Sequence, residues 1–201
     1  SKSNEASNDV AFSNNELDLV LRLHCDVHSD HAHVNYLRKR GDSRVVLGRG
    51  AGQMCEPLSD DHKPDNEQEK ARIEAAGGFV EENRVNGSLA LSRALGDFEY
   101  KGAALEFTEQ AVSATPIANG DTVSGGQFVF LACDGIWDCL TSEEVVEQTR
   151  TALASHPEDQ PVTSIIEVMF DSIIAKDVLS SAGKGTDNMT AIIVQLKPKA
   201  G

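Results

Sequence analysis

Leu17, Leu19, Leu21 and Leu23 alternate with Asp18, Val20, Arg22 and His24, the two-residue period of a half-buried strand. Residues 1–16, before it, are rich in Ser and Asn and offer little to bury, so they read as a flexible polar lead. The stretch 43–48 (SRVVLG) is β-rich, and Gly50-Ala51-Gly52 turns the chain into 53–58, which predicts a hairpin. Pro64 announces the first helix, where Asn66 and Glu69 have capping-box spacing. Ile73 and Ala76 supply its apolar face, and Gly77-Gly78 end it. Residues 79–111, punctuated by Gly87, Gly96 and Gly102, read mainly as loop.

The run 127–133 (QFVFLAC) is almost continuously apolar, the signature of a strand buried on both faces. A second capping box, Thr141 with Glu144, opens a helix that continues through Val145, Val146 and Leu153. After Pro161, the helical spacing of Ile165, Ile166, Met169, Ile173 and Ile174 predicts a third helix. A loop at 183–188 then leads into a closing strand over 189–196 (MTAIIVQL). Helices fall between strands without regular βαβ alternation, so the fold class is α+β.

With 201 residues and 40% hydrophobic content, the chain can build a real core. Asp and Glu number 32 against 18 Lys and Arg, a formal charge of -14. Such a surface repels phosphate polyanions and anionic lipid, which argues against nucleic-acid and membrane partners. It leaves phosphate chemistry open, because bound divalent cations reverse the local sign. No apolar run reaches the ~20 residues of a membrane span, and Ser1–Glu5 has no apolar signal segment. Cys25, Cys55, Cys133 and Cys139 form neither CxxC pairs nor a dense disulfide framework. A reduced cytoplasmic or nuclear setting and a monomeric chain are the resulting expectations.

Two aspartates sit where a strand meets a loop: Asp134 directly after QFVFLAC, and Asp187 just before the closing strand. Asp42 stands at the start of the hairpin strand. If their strands are neighbours, these carboxylates converge, and converging carboxylates call for a cation. Oxygen-only ligands select Mg²⁺ or Mn²⁺ over Zn²⁺. The alternative is that each aspartate merely caps a turn or helix.

The words around them are more specific. In order, the chain carries Gly41-Asp42-Ser43-Arg44, DHKPDNEQEKARIEAAGGFV at 61–80, and GSLALSRALGDFEYK at 87–101. FLACDGIWDCLTSEEVV at 130–146 and GTDNMTAIIV at 185–194 follow. Together these blocks closely resemble the metal-dependent type 2C protein serine/threonine phosphatases, the PPM family, over roughly residues 41–197. The resemblance implies an antiparallel β-sandwich flanked by helices in four αββα layers, here incomplete at the N-terminus. It divides the chain into the lead 1–16, a divergent segment 17–40, and a phosphatase-like part 41–201. It also implies Mg²⁺ or Mn²⁺ as cofactors and phosphoserine or phosphothreonine proteins as substrates, attacked by a metal-activated water without a nucleophilic side chain. Carried over by position, Asp134 and Asp187 are metal ligands and Asp42 belongs to a weaker third metal site. The segments KPDNEQEKARIEAAGG and SRALGD correspond to a helix and flap beside the active site, where Asp97 is structural.

The sequence departs from the family in its first part. Its one Asp-Gly dipeptide is Asp134-Gly135, so no Asp-Gly-His-Gly block supplies a metal-bridging aspartate. No early arginine stands in the family's phosphate-gripping motif, and Tyr36-Leu37-Arg38-Lys39-Arg40 replaces an apolar strand end. Two functions follow: a metal-dependent phosphatase weak in isolation, or a non-catalytic phosphatase-like protein that binds phosphoproteins or regulates a partner. The run HCDVHSDHAH, with His24, Cys25, His28, His31 and His33, lacks paired zinc-ligand spacing and reads as a solvated loop. Calorimetric zinc titration of the chain is therefore expected to give a Kd no tighter than about 1 µM. A stoichiometric nanomolar site with a large rise in Tm would reverse that reading.

Overall fold

A computed structural model of the chain describes residues 7–14, 17–25, 31–39, 41–49, 55–102, 104–124, 127–157 and 159–195. One antiparallel sheet has the order β1 (Ser7–Asn14), β2 (Leu17–Cys25), β3 (His31–Lys39), β8 (Ile117–Ser124). The second, also antiparallel, has the order β10 (Ala191–Gln195), β9 (Phe128–Ala132), β4 (Arg44–Gly48), β5 (Cys55–Pro57). A small ribbon pairs β6 (Val80–Glu81) with β7 (Arg84–Val85). Its turn residues Glu82 and Asn83 both have positive φ, the twist that tight hairpins prefer. The helices are α1 (Glu67–Ala75), α2 (Asp134–Trp137), α3 (Ser142–Ser155) and α4 (Thr163–Ile173). The mixed α+β class with antiparallel sheets agrees with the sequence reading.

Differences from the sequence reading lie mostly in the first sheet. Residues 7–14, expected as a polar lead, pair with β2, with Val10 opposite Leu21. The histidine-rich run is divided between β2 and β3, with His24 opposite His33. Its middle, residues 26–30, and hence the expected loop itself, lies outside the described residues. β8 went unread because Asn119-Gly120-Asp121 has turn chemistry; its pairing with β3 overrides that local preference.

β9 is the centre of the second sheet, and all five of its residues are buried, as an unbroken apolar run requires. Phe130 meets Trp137 edge-on at 5.9 Å between ring centroids, and the Trp137 indole N–H donates to the Ala132 carbonyl at 2.8 Å. Val145 and Val146 of α3 and Met169 of α4 close over the same core. The Thr141 hydroxyl accepts from the Glu144 backbone N–H, and Glu144 accepts from that of Thr141, completing the expected capping box.

α1 is held differently. Asn66 makes no side-chain cap; its amide donates to the Asp61 carbonyl at 2.6 Å. Glu69 turns inward to ion-pair with Arg93 at 2.5 Å and Arg72 at 2.8 Å, and accepts from the Ser92 hydroxyl at 2.5 Å. Two guanidinium groups outbid a backbone N–H for one carboxylate, so the capping box does not form. The helix ends as read: Gly77, at φ +84°, donates to the Glu74 carbonyl and Gly78 to that of Ile73.

This buried knot fastens the long insert between β5 and β8. Arg93 also donates to the Thr115 carbonyl, and Arg72 to the carbonyls of Gln110 and Ser92. Beneath them Ile73, Val85, Ala94, Ala111 and Val112 form a second, smaller core. Burial works against the Glu69 charge, but Arg93, Ser92 and Arg72 prevail and hold its carboxyl at about 2. A carboxyl depressed on folding contributes stability above its unfolded value, lost as pH falls from about 4.5 to about 2. Urea denaturation of Glu69→Gln is expected to show a loss of about 3 kcal/mol at neutral pH. The variant's stability should fall less steeply than the natural chain's over that acid range.

Candidate active site

The register of the second sheet decides where the three aspartates go. Ala132 of β9 is opposite Arg44 of β4 on one side and Ala191 of β10 on the other. Asp42 lies two residues before Arg44, Asp134 two after Ala132, and Asp187 four before Ala191. Because β9 runs antiparallel to both neighbours, all three leave the sheet at the same end.

The chain on either side of Asp134 is pinned to the loop before β10. The Cys133 backbone N–H donates to the Thr190 carbonyl at 3.1 Å. Its thiol donates to the Asn188 carbonyl at 3.3 Å and accepts from the Thr190 N–H at 3.2 Å. Cys133 thus does more than fill the strand end as a small apolar residue. At Gly135, a Cβ would stand 2.2 Å from the Asn188 carbonyl oxygen and 3.6 Å from the Asp187 Cβ. Only a glycine lets the two segments approach this closely. The Asp187 carboxylate also accepts from the Asn188 N–H at 2.7 Å.

Electrostatics registers the convergence. The half-buried Asp134 carboxyl is pushed above the usual aspartate range, first by burial and then by the charges of Asp42, Asp187 and Asp138. Asp42 accepts from the Lys63 ammonium at 2.6 Å. Burial pulls Lys63 down, but Asp42, with help from Asp61 and Asp134, keeps it above the ordinary lysine range. Next to them, Asp61 takes a bidentate contact from Arg44, at 3.1 and 2.7 Å. Arg44 also donates to the Ser142 hydroxyl at 3.0 Å and lies 5.1 Å from the Trp137 ring centre.

The structure therefore brings all three sequence-read aspartates into one electrostatic neighbourhood. Their carboxylate oxygens suit a hard divalent cation. Among the described residues no three His, Cys, Asp or Glu side chains already stand at metal-binding spacing. The sequence reading missed three members of the neighbourhood, Asp61, Asp138 and Lys63. Asp138 was legible, since it stands four residues after Asp134, one turn along a helix. Lys63 was not, because its partner is 21 residues away. Asp97 opens the 3₁₀ turn Phe98–Tyr100, where its carbonyl accepts from the Tyr100 N–H at 3.0 Å.

The joint at Gly135 can be tested directly. Gly135→Ala should cost about 1–3 kcal/mol in urea denaturation, because the new methyl group meets fixed backbone. Unchanged stability would mean that the 187–190 loop gives way freely.

Comparison with known proteins gives this geometry a family. A family model described as protein phosphatase 2C matches residues 27–180. Over 162 residues the chain is 49% identical to protein phosphatase 2C homolog 3 of Schizosaccharomyces pombe, covering 80% of this chain and 38% of that protein. It is 51% identical over 165 residues to protein phosphatase 2C homolog 2 of the same yeast, covering 42% of it. A crystal structure of a phosphatase from a pathogenic strain of Toxoplasma gondii superposes with a TM-score of 0.69 at 30% identity. That match covers 84% of this chain and 50% of the other. The chain spans about two fifths of the length of these curated yeast relatives. The family model spans most of the chain, Asp42 and Asp134 included, and the chain belongs to the protein phosphatase 2C family.

Proposed function

We propose that this chain carries the C-terminal share of a metal-dependent protein serine/threonine phosphatase site. The observation that supports it is the arrival of Asp42, Asp134 and Asp187 at one end of the β10-β9-β4 sheet. In this reading Asp134 and Asp187 hold Mg²⁺ or Mn²⁺, and Asp42 serves a weaker third position. Such cations, when bound, supply positive charge to a phosphoryl group and lower the pKa of water. The protein's own contribution is placement: the Cys133 and Gly135 contacts hold together the two segments that carry Asp134 and Asp187. The two antiparallel sheets are, in the same reading, the paired layers of an αββα sandwich. Phosphoserine and phosphothreonine proteins are the substrates.

A second reading, a phosphatase-like protein that binds phosphoproteins or regulates a partner, is favoured by one observation. The sequence contains no Asp-Gly-His-Gly block to supply a bridging aspartate. Without a group to fix two cations at one separation, the attacking water has one activating charge fewer. Loss of one oriented electrostatic element typically costs ~10²–10³ in turnover.

The test measures hydrolysis of a phosphothreonine peptide in saturating Mn²⁺, by this chain and by a version joined to the upstream half of a relative. This chain alone is expected to be at least about 100-fold slower. Asp134→Asn should abolish turnover in the joined version. Equal turnover in both, lost on that substitution, would mean that another residue here does the bridging.

A further inference from the structure

We propose that Lys63 is a tethered counter-cation of the aspartate cluster, one that a divalent cation must displace to reach Asp42. The inference rests on the active-site reading above and concerns how that site accepts metal.

The first support is geometric. The Lys63 ammonium lies 2.6 Å from an Asp42 carboxylate oxygen, and the side chains are only 31% and 14% exposed. The second is that the backbone holds this lysine in place, so the contact is not an accident of a long, free side chain. His62, its neighbour, donates from its backbone N–H to the Gly41 carbonyl at 2.9 Å, tying 62–63 to the turn that carries Asp42. The His62 carbonyl in turn accepts from both the backbone N–H and the hydroxyl of Ser92. Asp61, on the other side, is clamped by Arg44 from β4. Pro64 restricts Lys63 to extended backbone, and α1 begins only at Glu67. Both anchors lie outside the lysine side chain itself, so its ammonium can swing away while the backbone stays.

The third support is charge. Asp42, Asp61, Asp134, Asp138 and Asp187 gather here, with Arg44 committed to Asp61. An ammonium among such carboxylates offsets their repulsion while no metal is bound. It also repels a doubly charged ion entering the same space, and it engages an oxygen of Asp42. A lysine suits this role better than an arginine would, since a flexible point charge leaves more readily than a bidentate fork.

The experiment uses the full chain with Lys63→Met and Lys63→Gln as two neutral variants and Lys63→Arg as the charge-keeping control. Mn²⁺ binding is read by calorimetry and by the electron paramagnetic resonance signal of free Mn²⁺, in low salt. Both neutral variants should bind Mn²⁺ about tenfold more tightly, and Lys63→Arg should bind as the natural chain does. In metal-free buffer the neutral variants should lower the urea midpoint, and that loss should vanish in the Asp42→Asn background. Added Mn²⁺ should restore the lost midpoint in Lys63→Met.

Unchanged or weaker Mn²⁺ binding by the neutral variants would overturn the proposal. So would a stability loss that persists without the Asp42 charge, or neutral variants that unfold and are not rescued by Mn²⁺. Asp134→Asn separates this inference from the reading beneath it. If it leaves Mn²⁺ binding intact, the active-site reading fails. If it removes binding while the neutral Lys63 variants match the natural chain, only the counter-cation role fails. No Mn²⁺ binding in any form of the chain overturns both.

Discussion

The close approach of Gly135 to the Asn188 carbonyl is the contact that joins the segments bearing Asp134 and Asp187. Asp134 and Asp187 come from segments more than fifty residues apart, Asp134 opening α2 just after β9 and Asp187 in the loop before β10. Sheet register brings the strands side by side, ~4.8 Å apart, but it does not fix the loops beyond their ends. The remaining adjustment comes from the missing Cβ at Gly135 and from Cys133, whose sulfur and backbone hold the opposite loop from two directions. Phe130, Trp137, Val145, Val146 and Met169 pack the end of β9 into the buried core.

Around that joint the protein faces a problem of charge. Several carboxylates share one sheet end in a molecule already strongly acidic, and the chain answers with two cations of different kinds. Arg44 is spent structurally: bidentate to Asp61, bonded to Ser142, and stacked near Trp137, it ties β4 to the start of α3. Lys63 makes a single contact through a long flexible stem. A second knot of the same kind, Glu69 between Arg72 and Arg93, lies deeper in the protein. It fastens the long insert between β5 and β8, alongside the small apolar core of Ile73, Val85, Ala94, Ala111 and Val112.

Much of this was legible in the chain because it rests on local rules. The unbroken apolar run of β9, the capping box of α3, the glycine stop of α1 and the spacing of Ile165 and Met169 on α4 each reflect chemistry within a few residues. The carboxylates at strand ends could be singled out for the same reason: a charged residue next to a buried apolar run marks where a sheet opens to water. Where the reading went astray, a distant partner had outbid a local one. Glu69 forsakes the α1 cap for two arginines, and β8 forms across an Asn-Gly-Asp that would otherwise turn. The strand over 7–14 has the same origin, since its polar residues gain their pairing from β2 rather than from any pattern of their own.

By itself, then, the sequence determined the α+β class, the main helices and strands of the second half, the family, and the aspartates that flank the buried strands. Period, caps and turn residues act over three or four positions, and ordered motifs persist whatever the packing around them. Tertiary structure alone decided that β9 lies between β4 and β10, which is what turns three scattered aspartates into neighbours. It also decided which cation serves which carboxylate: Arg44 for Asp61, Lys63 for Asp42, Arg72 and Arg93 for Glu69. Such pairings depend on a few ångströms of separation across a low-dielectric boundary. Most of them join residues far apart in the chain, where only the folded register sets the distance.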